Sequence, residues 1–179
     1  MTTYFTFHDS PIGALMLTAT ERGLSRVYMD SQRYAPLAPR PEWREDEGGR
    51  APHLSAARTQ LDAYFAGLRS VFDVALDLDG TPFQRSVWQA LCDIAYGATI
   101  SYGELARRIG NPKAVRAVGL ANGRNPVSIL VPCHRVIGAD GSLTGYGGGI
   151  ERKEFLLALE ARVVAKSSGT EVQEELALR

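Results

Sequence analysis

The pattern of turn-forming and helix-capping residues changes near residue 80 and divides the 179-residue sequence into two parts. The first thirty residues contain short runs rich in aromatic and β-forming residues, which glycine- and proline-containing turns separate. After residue 80, Thr81-Pro82-Phe83-Gln84 combines a capping threonine, a proline at the first helical position and a glutamine at the third. The sequence therefore predicts a β-rich N-terminal part and a mainly helical C-terminal part.

The N-terminal part is predicted to be a small α+β unit. Its three-stranded sheet is expected at YFTF (4–7), ALMLTAT (14–20) and LSRVYM (24–29). The apolar spacing of residues 53–66 predicts a helix, and the alternation in VFDVALDLDG (71–80) predicts a half-buried strand. Residues 31–52 hold four of the nine prolines and the run REDEGGR, so we expect a poorly ordered loop there.

Two short helices with a tight turn between them are predicted in the C-terminal part. Ser101-Tyr102-Gly103-Glu104 is a second capping box and starts a helix that ends near Gly110. Asn111-Pro112 predicts the turn, and KAVRAVGLAN (113–122) predicts the next helix. This arrangement matches a helix-turn-helix, as in winged-helix DNA-binding domains, or an ordinary helical hairpin packed in a core.

The net charge is zero, but its distribution is uneven. Residues 1–80 carry 8 Lys/Arg and 11 Asp/Glu, whereas residues 81–160 carry 9 and 6. Between residues 101 and 135, Glu104 is the one acid beside six basic residues: Arg107, Arg108, Lys113, Arg116, Arg124 and Arg135. Such a region is typical of a surface that meets a polyanion, and also of an ordinary solvated face.

Several classes of protein are disfavoured by the composition. No apolar run approaches the ~18 residues that span a bilayer, and the N-terminus lacks a basic region followed by an apolar stretch. The two cysteines, Cys92 and Cys133, do not form a disulfide framework, which favours a reducing cytoplasm. We expect Cys92 to be a buried structural thiol. No nucleotide-binding glycine loop or metal-spaced Cys/His cluster occurs, so no cofactor is predicted.

In the segment SILVPCHRVIGADG (128–141), an apolar run is followed by Cys133-His134-Arg135, which supply a nucleophile, a base and a positive charge. A cysteine attacks as the thiolate, so we expect a nearby base or cation to lower the pKa of Cys133 and keep its sulfur as an anion. Pro132 interrupts regular strand pairing, and a turn at 132–134 would bring His134 within one water of the sulfur. Glu160, on the inner face of the last predicted helix, is placed to orient the imidazole in a Cys-His-Glu relay. A Cys-His pair of this kind also occurs by chance.

The motif PCHRV, with NPVSILV before it and TGYGGG after it, closely resembles the active-site segment of the O6-alkylguanine-DNA alkyltransferases, also called methylated-DNA–protein-cysteine methyltransferases. The resemblance continues through SYGELARRIGNPKAVRAVGLANGRNP. It implies a ribonuclease H-like domain over 1–80, a DNA-binding and alkyl-acceptor domain over 81–161, and a polar tail over 162–179. The implied function is single-use DNA repair, in which the cysteine takes the alkyl group from O6-alkylguanine, and from O4-alkylthymine, and keeps it as a thioether.

The resemblance also implies roles for individual residues. The catalytic roles are Cys133 as alkyl acceptor, His134 as water-mediated base, Glu160 as the partner of the histidine, Asn125 as a brace of the active-site turn, and Tyr102 as proton donor to guanine N3. Minor-groove DNA contacts are implied for Arg116, which fills the space of the extruded nucleotide, for the small residues Ala114, Val115 and Ala117, and for Lys113 and Arg124. The substrate pocket is implied at Val136, Tyr146, Gly147 and Gly148, where the glycines leave room for the alkyl group.

The expected partner is double-stranded DNA that contains O6-alkylguanine, bound by a monomer, with cooperativity along DNA left open. Some relatives carry an N-terminal zinc site, but residues 1–80 contain no cysteine, so we expect no metal. Three alternatives remain: an alkyltransferase-like protein that binds lesions without chemistry, a winged-helix regulator, and a cysteine hydrolase. Alkyltransferase-like proteins replace the acceptor, so Cys133 favours alkyl transfer over the first alternative.

Overall fold

The N-terminal part folds as one twisted sheet in the strand order β3-β2-β1-β4. The structure, a computed structural model, describes residues 1–32, 36 and 38–177, with the backbone alone from residue 170 onward. The strands are β1 (Tyr4–His8), β2 (Leu15–Ala19), β3 (Leu24–Met29) and β4 (Arg44–Glu45). The first three pair antiparallel, whereas β4 lies parallel to β1. The α+β prediction is confirmed.

The fourth strand comes from the segment that was expected to be a loop. Arg44 donates its backbone N–H to the carbonyl of Thr3, and Asp46 donates to Phe5, at 3.0 and 2.8 Å. The backbone carbonyls along the edge of β1 can accept hydrogen bonds from any extended segment beside them. The pairing therefore does not require β-forming side chains in β4. The prediction of poor order at residues 33–35 and 37 lies outside the described residues.

The segment 71–80 does not form the predicted strand. It makes one bridge, between Leu24 and Leu76, with Leu24 donating to the carbonyl of Ala75 at 2.8 Å. A Cβ at Gly23 would lie 2.5 Å from the carbonyl oxygen of Ala75, so a glycine is required where the two backbones meet. The alternating pattern therefore reports an extended, half-buried segment that pairs at one point only.

Helix α1 (Pro52–Phe65) belongs to the N-terminal part and covers its sheet.

The C-terminal part is mainly helical. Its elements are α2 (Pro82–Cys92), β5 (Ile100–Ser101), α3 (Tyr102–Arg108), α4 (Val115–Gly123), β6 (Val136–Ile137) and α5 (Ile150–Ala177). The capping box at α2 is confirmed, since Thr81 and Gln84 exchange both expected hydrogen bonds. Ser101 caps α3 by accepting the N–H of Glu104, but only this half of the second predicted capping box forms, because the Glu104 carboxylate binds Arg107 and Arg108 instead of the N-cap backbone. Helices α3 and α4 form the predicted helix-turn-helix.

Two helices differ in length from the prediction. Helix α4 begins at Val115, so Lys113 and Ala114 lie in the turn before it. Helix α5 runs on to Ala177, through most of the segment that was expected to be a polar tail. No proline follows Pro132 in the sequence, and the polar residues beyond 162 are compatible with a solvated helix.

Contacts between the two parts position the loop that precedes Cys133. Val27 of β3 donates its N–H to the carbonyl of Pro126 at 2.9 Å and forms a bridge with Val127. Arg152 of α5 donates to the carbonyls of Ile12 and Asp30, at 2.9 and 2.7 Å. The core is therefore continuous from the sheet to the C-terminal helices. Within the described residues, no helix is long and apolar enough to cross a lipid bilayer.

Candidate active site

Cys133 is the first residue of a 3₁₀ turn, Cys133–Arg135, which connects the apolar run to β6. Its backbone N–H donates to the carbonyl of Val131 at 2.8 Å. The residue is 4% exposed, and His134 beside it is fully buried. The turn that was predicted at 132–134 is present, and it keeps the thiol and the imidazole within one short segment.

The apolar run before the cysteine is a buried tight turn rather than a strand. Val131 donates its N–H to the carbonyl of Val127 at 2.9 Å, and Ile129 between them has a φ of 77°. A β-branched residue in this left-handed region costs on the order of 1–3 kcal/mol and persists where its surroundings enforce it. Asn125 supplies that enforcement, since its amide donates to the carbonyl of Val131 at 2.7 Å and accepts the N–H of Val127 at 3.1 Å.

Glu160 on α5 lies at the centre of a buried hydrogen-bond network. Its Oε1 is 2.8 Å from Nε2 of His134. Arg135 donates Nε to Oε2 and Nη2 to Oε1, both at 2.9 Å. Tyr64 of α1 donates its hydroxyl to Oε1 at 2.8 Å, and Gly97 donates its backbone N–H to Oε2 at 2.9 Å. The predicted His134–Glu160 pair is present, with an arginine that the sequence did not reveal as its third member.

The charge states of the pair follow from this network. Burial acts to raise the pKa of Glu160, but hydrogen bonds from His134 and Arg135 outweigh it and hold the pKa at about 2. Burial lowers the pKa of His134, so its imidazole is neutral at pH 7. An ionised Glu160 only accepts, which places the ring proton on Nε2 and leaves Nδ1 as a base. Nδ1 is buried and has no hydrogen-bond partner among the described residues.

The thiol of Cys133 is not held as a ready anion, contrary to expectation. Burial raises its pKa, and hydrogen bonds from Asn125 and Ser128 together with the charge of Lys153 offset only part of that shift. Low-dielectric surroundings disfavour the charged form more strongly than these groups favour it. At neutral pH the resting side chain is therefore the protonated thiol, and the reaction needs a base.

Tyr102 contacts the segment 144–148, which contains three of the four predicted pocket residues. The hydroxyl of Tyr102 donates to the carbonyl of Thr144 at 2.9 Å. Gly145 has a φ of 72°, and a Cβ there would lie 2.6 Å from Oη of Tyr102. This glycine lets the tyrosine hydroxyl approach the loop backbone, and the sequence reasoning did not single it out.

The predicted pocket residues that follow Gly145 pack against the N-terminal sheet. Tyr146 is buried, and its hydroxyl lies 3.8 Å from Sδ of Met29. A Cβ at Gly148 would lie 2.4 Å from that sulfur, so this glycine lets Met29 pack closely against the loop. At Gly147 a Cβ would make only ordinary contacts, with the nearest atom 3.5 Å away.

Lys153 is a buried residue that the sequence reasoning missed. It is fully buried on α5, and its Nζ donates to the carbonyls of Val136 and Thr144 at 2.6 and 2.9 Å. Its ammonium therefore links the segment 144–148 to β6, which contains the predicted pocket residue Val136. The available signal was its position seven residues before Glu160, which puts both side chains on one face of α5.

The predicted DNA-contacting residues lie together at the surface around α4. Lys113, Val115, Arg116, Ala117 and Arg124 are exposed, and Ala114 is partly exposed. The basic surface is smaller than the sequence count implies. Arg135 is buried against Glu160, and Arg107 and Arg108 both bind Glu104.

The second cysteine differs from its prediction. Cys92 is exposed at the last residue of α2, outside the buried stripe of that helix, and its thiol donates to the carbonyl of Trp88 at 3.4 Å. No group of three or more His, Cys, Asp or Glu side chains able to hold a metal ion occurs in the part of the chain that the structure describes.

Comparisons with known proteins cover both parts of the chain. Residues 82–162 match the family model for the DNA binding domain of 6-O-methylguanine DNA methyltransferase, and residues 3–78 match the model for its ribonuclease-like domain. The methylated-DNA–protein-cysteine methyltransferase of Mycobacterium tuberculosis is 57% identical over 152 residues, which are 85% of this chain and 88% of that protein. The protein of the same name from Methanosarcina acetivorans is 52% identical over 158 residues, 88% of this chain and 97% of that protein.

A solved structure is also similar over most of the chain. The crystal structure of Mycobacterium tuberculosis OGT in complex with DNA has a TM-score of 0.82 and 54% sequence identity, covering 89% of this chain and 94% of that chain. A structure from Pyrococcus kodakaraensis, at 21% identity and a TM-score of 0.50, shares the fold.

The network around Glu160 predicts unequal effects at two neighbouring tyrosines. Tyr64→Phe removes a donor from a buried carboxylate, so we expect the free energy of unfolding in urea to fall by about 1–2 kcal/mol. Tyr96→Phe is the matched control, because its ring lies 6.0 Å from that of Tyr64 and its buried hydroxyl has no partner among the described residues. Its change should stay within about 0.5 kcal/mol. Equal losses in the two variants would contradict the assigned role of Glu160.

Proposed function

Because the chain belongs to the 6-O-methylguanine DNA methyltransferase family, we propose that it repairs DNA by moving the alkyl group of O6-alkylguanine onto Sγ of Cys133. One observation carries the proposal. The acceptor thiol shares a 3₁₀ turn with an imidazole whose Nε2 is held by an ionised carboxylate and whose Nδ1 has no hydrogen-bond partner in the described part of the chain. The activity is that of a methylated-DNA–protein-cysteine methyltransferase.

The proposed reaction is an in-line displacement at the alkyl carbon. His134 takes the thiol proton on Nδ1 through one water molecule, and the sulfur forms a bond to carbon as the bond from carbon to O6 breaks. Glu160 stabilises the imidazolium that results, as a carboxylate does in a Cys-His-acid relay. The products are an S-alkylcysteine and an unmodified guanine.

When the bond between the alkyl carbon and O6 breaks, its electron pair stays on the guanine. The guanine therefore gains negative charge, and a proton donor must neutralise it. Tyr102 is the proposed donor to N3, because its hydroxyl is a donor at neutral pH and burial raises its pKa further. That hydroxyl donates to the carbonyl of Thr144 in the free protein, so we propose that it turns to the ring when the base enters. Asn125 keeps the turn that carries Cys133 in place during this exchange.

We propose that each molecule reacts once. A thioether is a poor leaving group at neutral pH, and the mechanism contains no step that releases the sulfur. O4-alkylthymine presents the same kind of carbon on an exocyclic oxygen and is a proposed second substrate. We propose that the reacting unit is a monomer.

DNA is proposed to bind along α4. Its exposed small residues, Val115 and Ala117, allow a groove to approach closely, and Lys113 and Arg124 lie at its two ends for phosphate contacts. A base inside the duplex cannot reach a sulfur that is 4% exposed, so the nucleotide must leave the stack. Arg116 is exposed in the first turn of α4, and we propose that it fills the vacated space from the minor groove.

Intact mass after incubation with duplex DNA containing O6-methylguanine tests the proposed function. We expect the mass to rise by one methyl group per chain, in the wild type and in Cys92→Ser, and to stay unchanged in Cys133→Ala. Product in excess of protein would contradict single use. Binding of the lesion DNA without any gain in mass would support the non-catalytic alternative instead.

Arg116→Ala tests nucleotide extrusion. Extrusion costs a few kcal/mol, so we expect the single-turnover rate on duplex DNA to fall by about tenfold or more. The rate with free O6-methylguanine base should change by less than about threefold, since a free base needs no extrusion. Arg85→Ala removes an exposed arginine from α2 and serves as the charge control. Equal losses on duplex and free base would refute this role for Arg116.

A further inference from the structure

Helix α4 turns an apolar face toward the outside of the protein. Its exposed side chains are Val115, Arg116, Ala117 and Leu120, so three of the four are apolar. Leu120 is 66% exposed, and the proposed mechanism gives it no role. A helix on a solvated surface normally presents polar side chains on that side. The composition of this face therefore indicates a surface that another molecule covers.

Leu120 lies one turn after Arg116 on the same face of α4. Side chains four residues apart on a helix are neighbours, about 6 Å apart along the axis. Gly119, just before Leu120, faces the ring of Tyr102, because a Cβ on this glycine would lie 3.9 Å from two ring carbons. Leu120 therefore lies close to the residue proposed to fill the vacated space and to the proposed proton donor.

The charges around this face indicate what covers it. Lys113, Arg116 and Arg124 are exposed along it, and residues 105–135 contain no aspartate or glutamate. If a second copy of the chain docked on the same face, these cations would meet their own counterparts and repel them. Phosphates attract them, and the minor groove of DNA accepts apolar side chains between its base steps. Duplex DNA therefore fits both the charge and the apolar character of the face.

We propose that Leu120 enters the minor groove as an apolar wedge at a base step beside the extruded nucleotide, next to the space that Arg116 fills. Wedges of this kind partly unstack a base step and bend the duplex. Successive bases are ~3.4 Å apart, so a side chain about 6 Å from Arg116 reaches a neighbouring step and not the vacated position. The inference rests on the proposed function, because it adds a residue to the proposed extrusion step.

The wedge should assist binding and extrusion without taking part in alkyl transfer. Leu120→Ala removes apolar surface that insertion would bury, so we expect the single-turnover rate on subsaturating duplex DNA to fall about fivefold or more. The rate with free O6-methylguanine base should change by less than about twofold, because a free base needs no extrusion. Leu120→Met keeps an apolar side chain of similar size and should stay close to the wild type.

The fluorescence of 2-aminopurine measures the wedge directly, because this base becomes brighter when it loses stacking. The measurement uses Cys133→Ala protein, which cannot accept the methyl group, with the probe on the 5′ or the 3′ side of O6-methylguanine in two separate duplexes. At saturating protein, we expect brightening on at least one side, and Leu120→Ala should lose half of it or more. Leu68→Ala, at a leucine that is 84% exposed in the N-terminal part, is the matched control and should lose none.

Two results would overturn the inference: equal fluorescence with and without Leu120 at both probe positions, or equal losses of rate on duplex and free base. A Leu120→Ala change that lowers the mass of the free protein in solution and leaves the DNA signals unchanged would also overturn it, and would assign the face to a contact between copies of the chain. A wild type that transfers no methyl group would contradict the proposed function. The fluorescence test uses protein without the acceptor, so the two failures can be told apart.

Discussion

The carboxylate of Glu160 joins the fold to the chemistry of this protein. It is fully buried and accepts hydrogen bonds from the 3₁₀ turn, from α1 of the N-terminal part, and from the backbone after α2. A buried carboxylate is costly unless its lone pairs are satisfied and its charge is balanced. Arg135 balances the charge, and this arginine therefore belongs to the interior and not to the DNA-facing surface. The same contacts that hold the two parts together keep His134 in the tautomer that a general base requires.

The segment before the cysteine adds a second constraint. Ile129 is held in a strained conformation, and both ends of its turn are tied to the side chain of Asn125. The N-terminal sheet supports this turn from behind, through Val27 and Pro126. Strain of this kind is retained where a rigid geometry matters more than stability. The strained turn fixes the position of Cys133, whose thiol is protonated in the resting protein. The reaction therefore depends on the position of the thiol and on a base that deprotonates it, and not on a preformed thiolate.

Local sequence features predicted the parts of the fold that local interactions decide. The cap of α2 at Thr81 and the cap of α3 at Ser101 each involve neighbouring residues, and both are present. The segment 71–80 was predicted wrongly as a strand, because whether an extended chain pairs depends on what lies beside it. Cys92 was predicted to be buried, but the sequence near a helix end does not define which side of the last turn is covered.

The candidate site shows the same division. Cys133, His134 and Glu160 were identified from the motif and its resemblance, and Asn125 and Tyr102 followed from the same match. Lys153 was missed, since a single lysine in a helix is usually exposed and only the tertiary packing shows that it is buried. Arg135 was counted as surface charge for the same reason. The close packing of Met29 against Gly148 was not predicted either, because it joins residues that are far apart in the sequence.

The ionisation of Cys133 tests most directly whether the protein relies on His134 as a base. The measurement is a pH titration of thiolate absorbance in the Cys92→Ser variant, which leaves Cys133 as the single thiol. Because burial raises the pKa of this thiol, the account predicts that it ionises above its ordinary value of 9.0 and is protonated at pH 7. A thiolate that forms below about pH 7 would contradict the account, because the sulfur would then be a standing anion that needs no base.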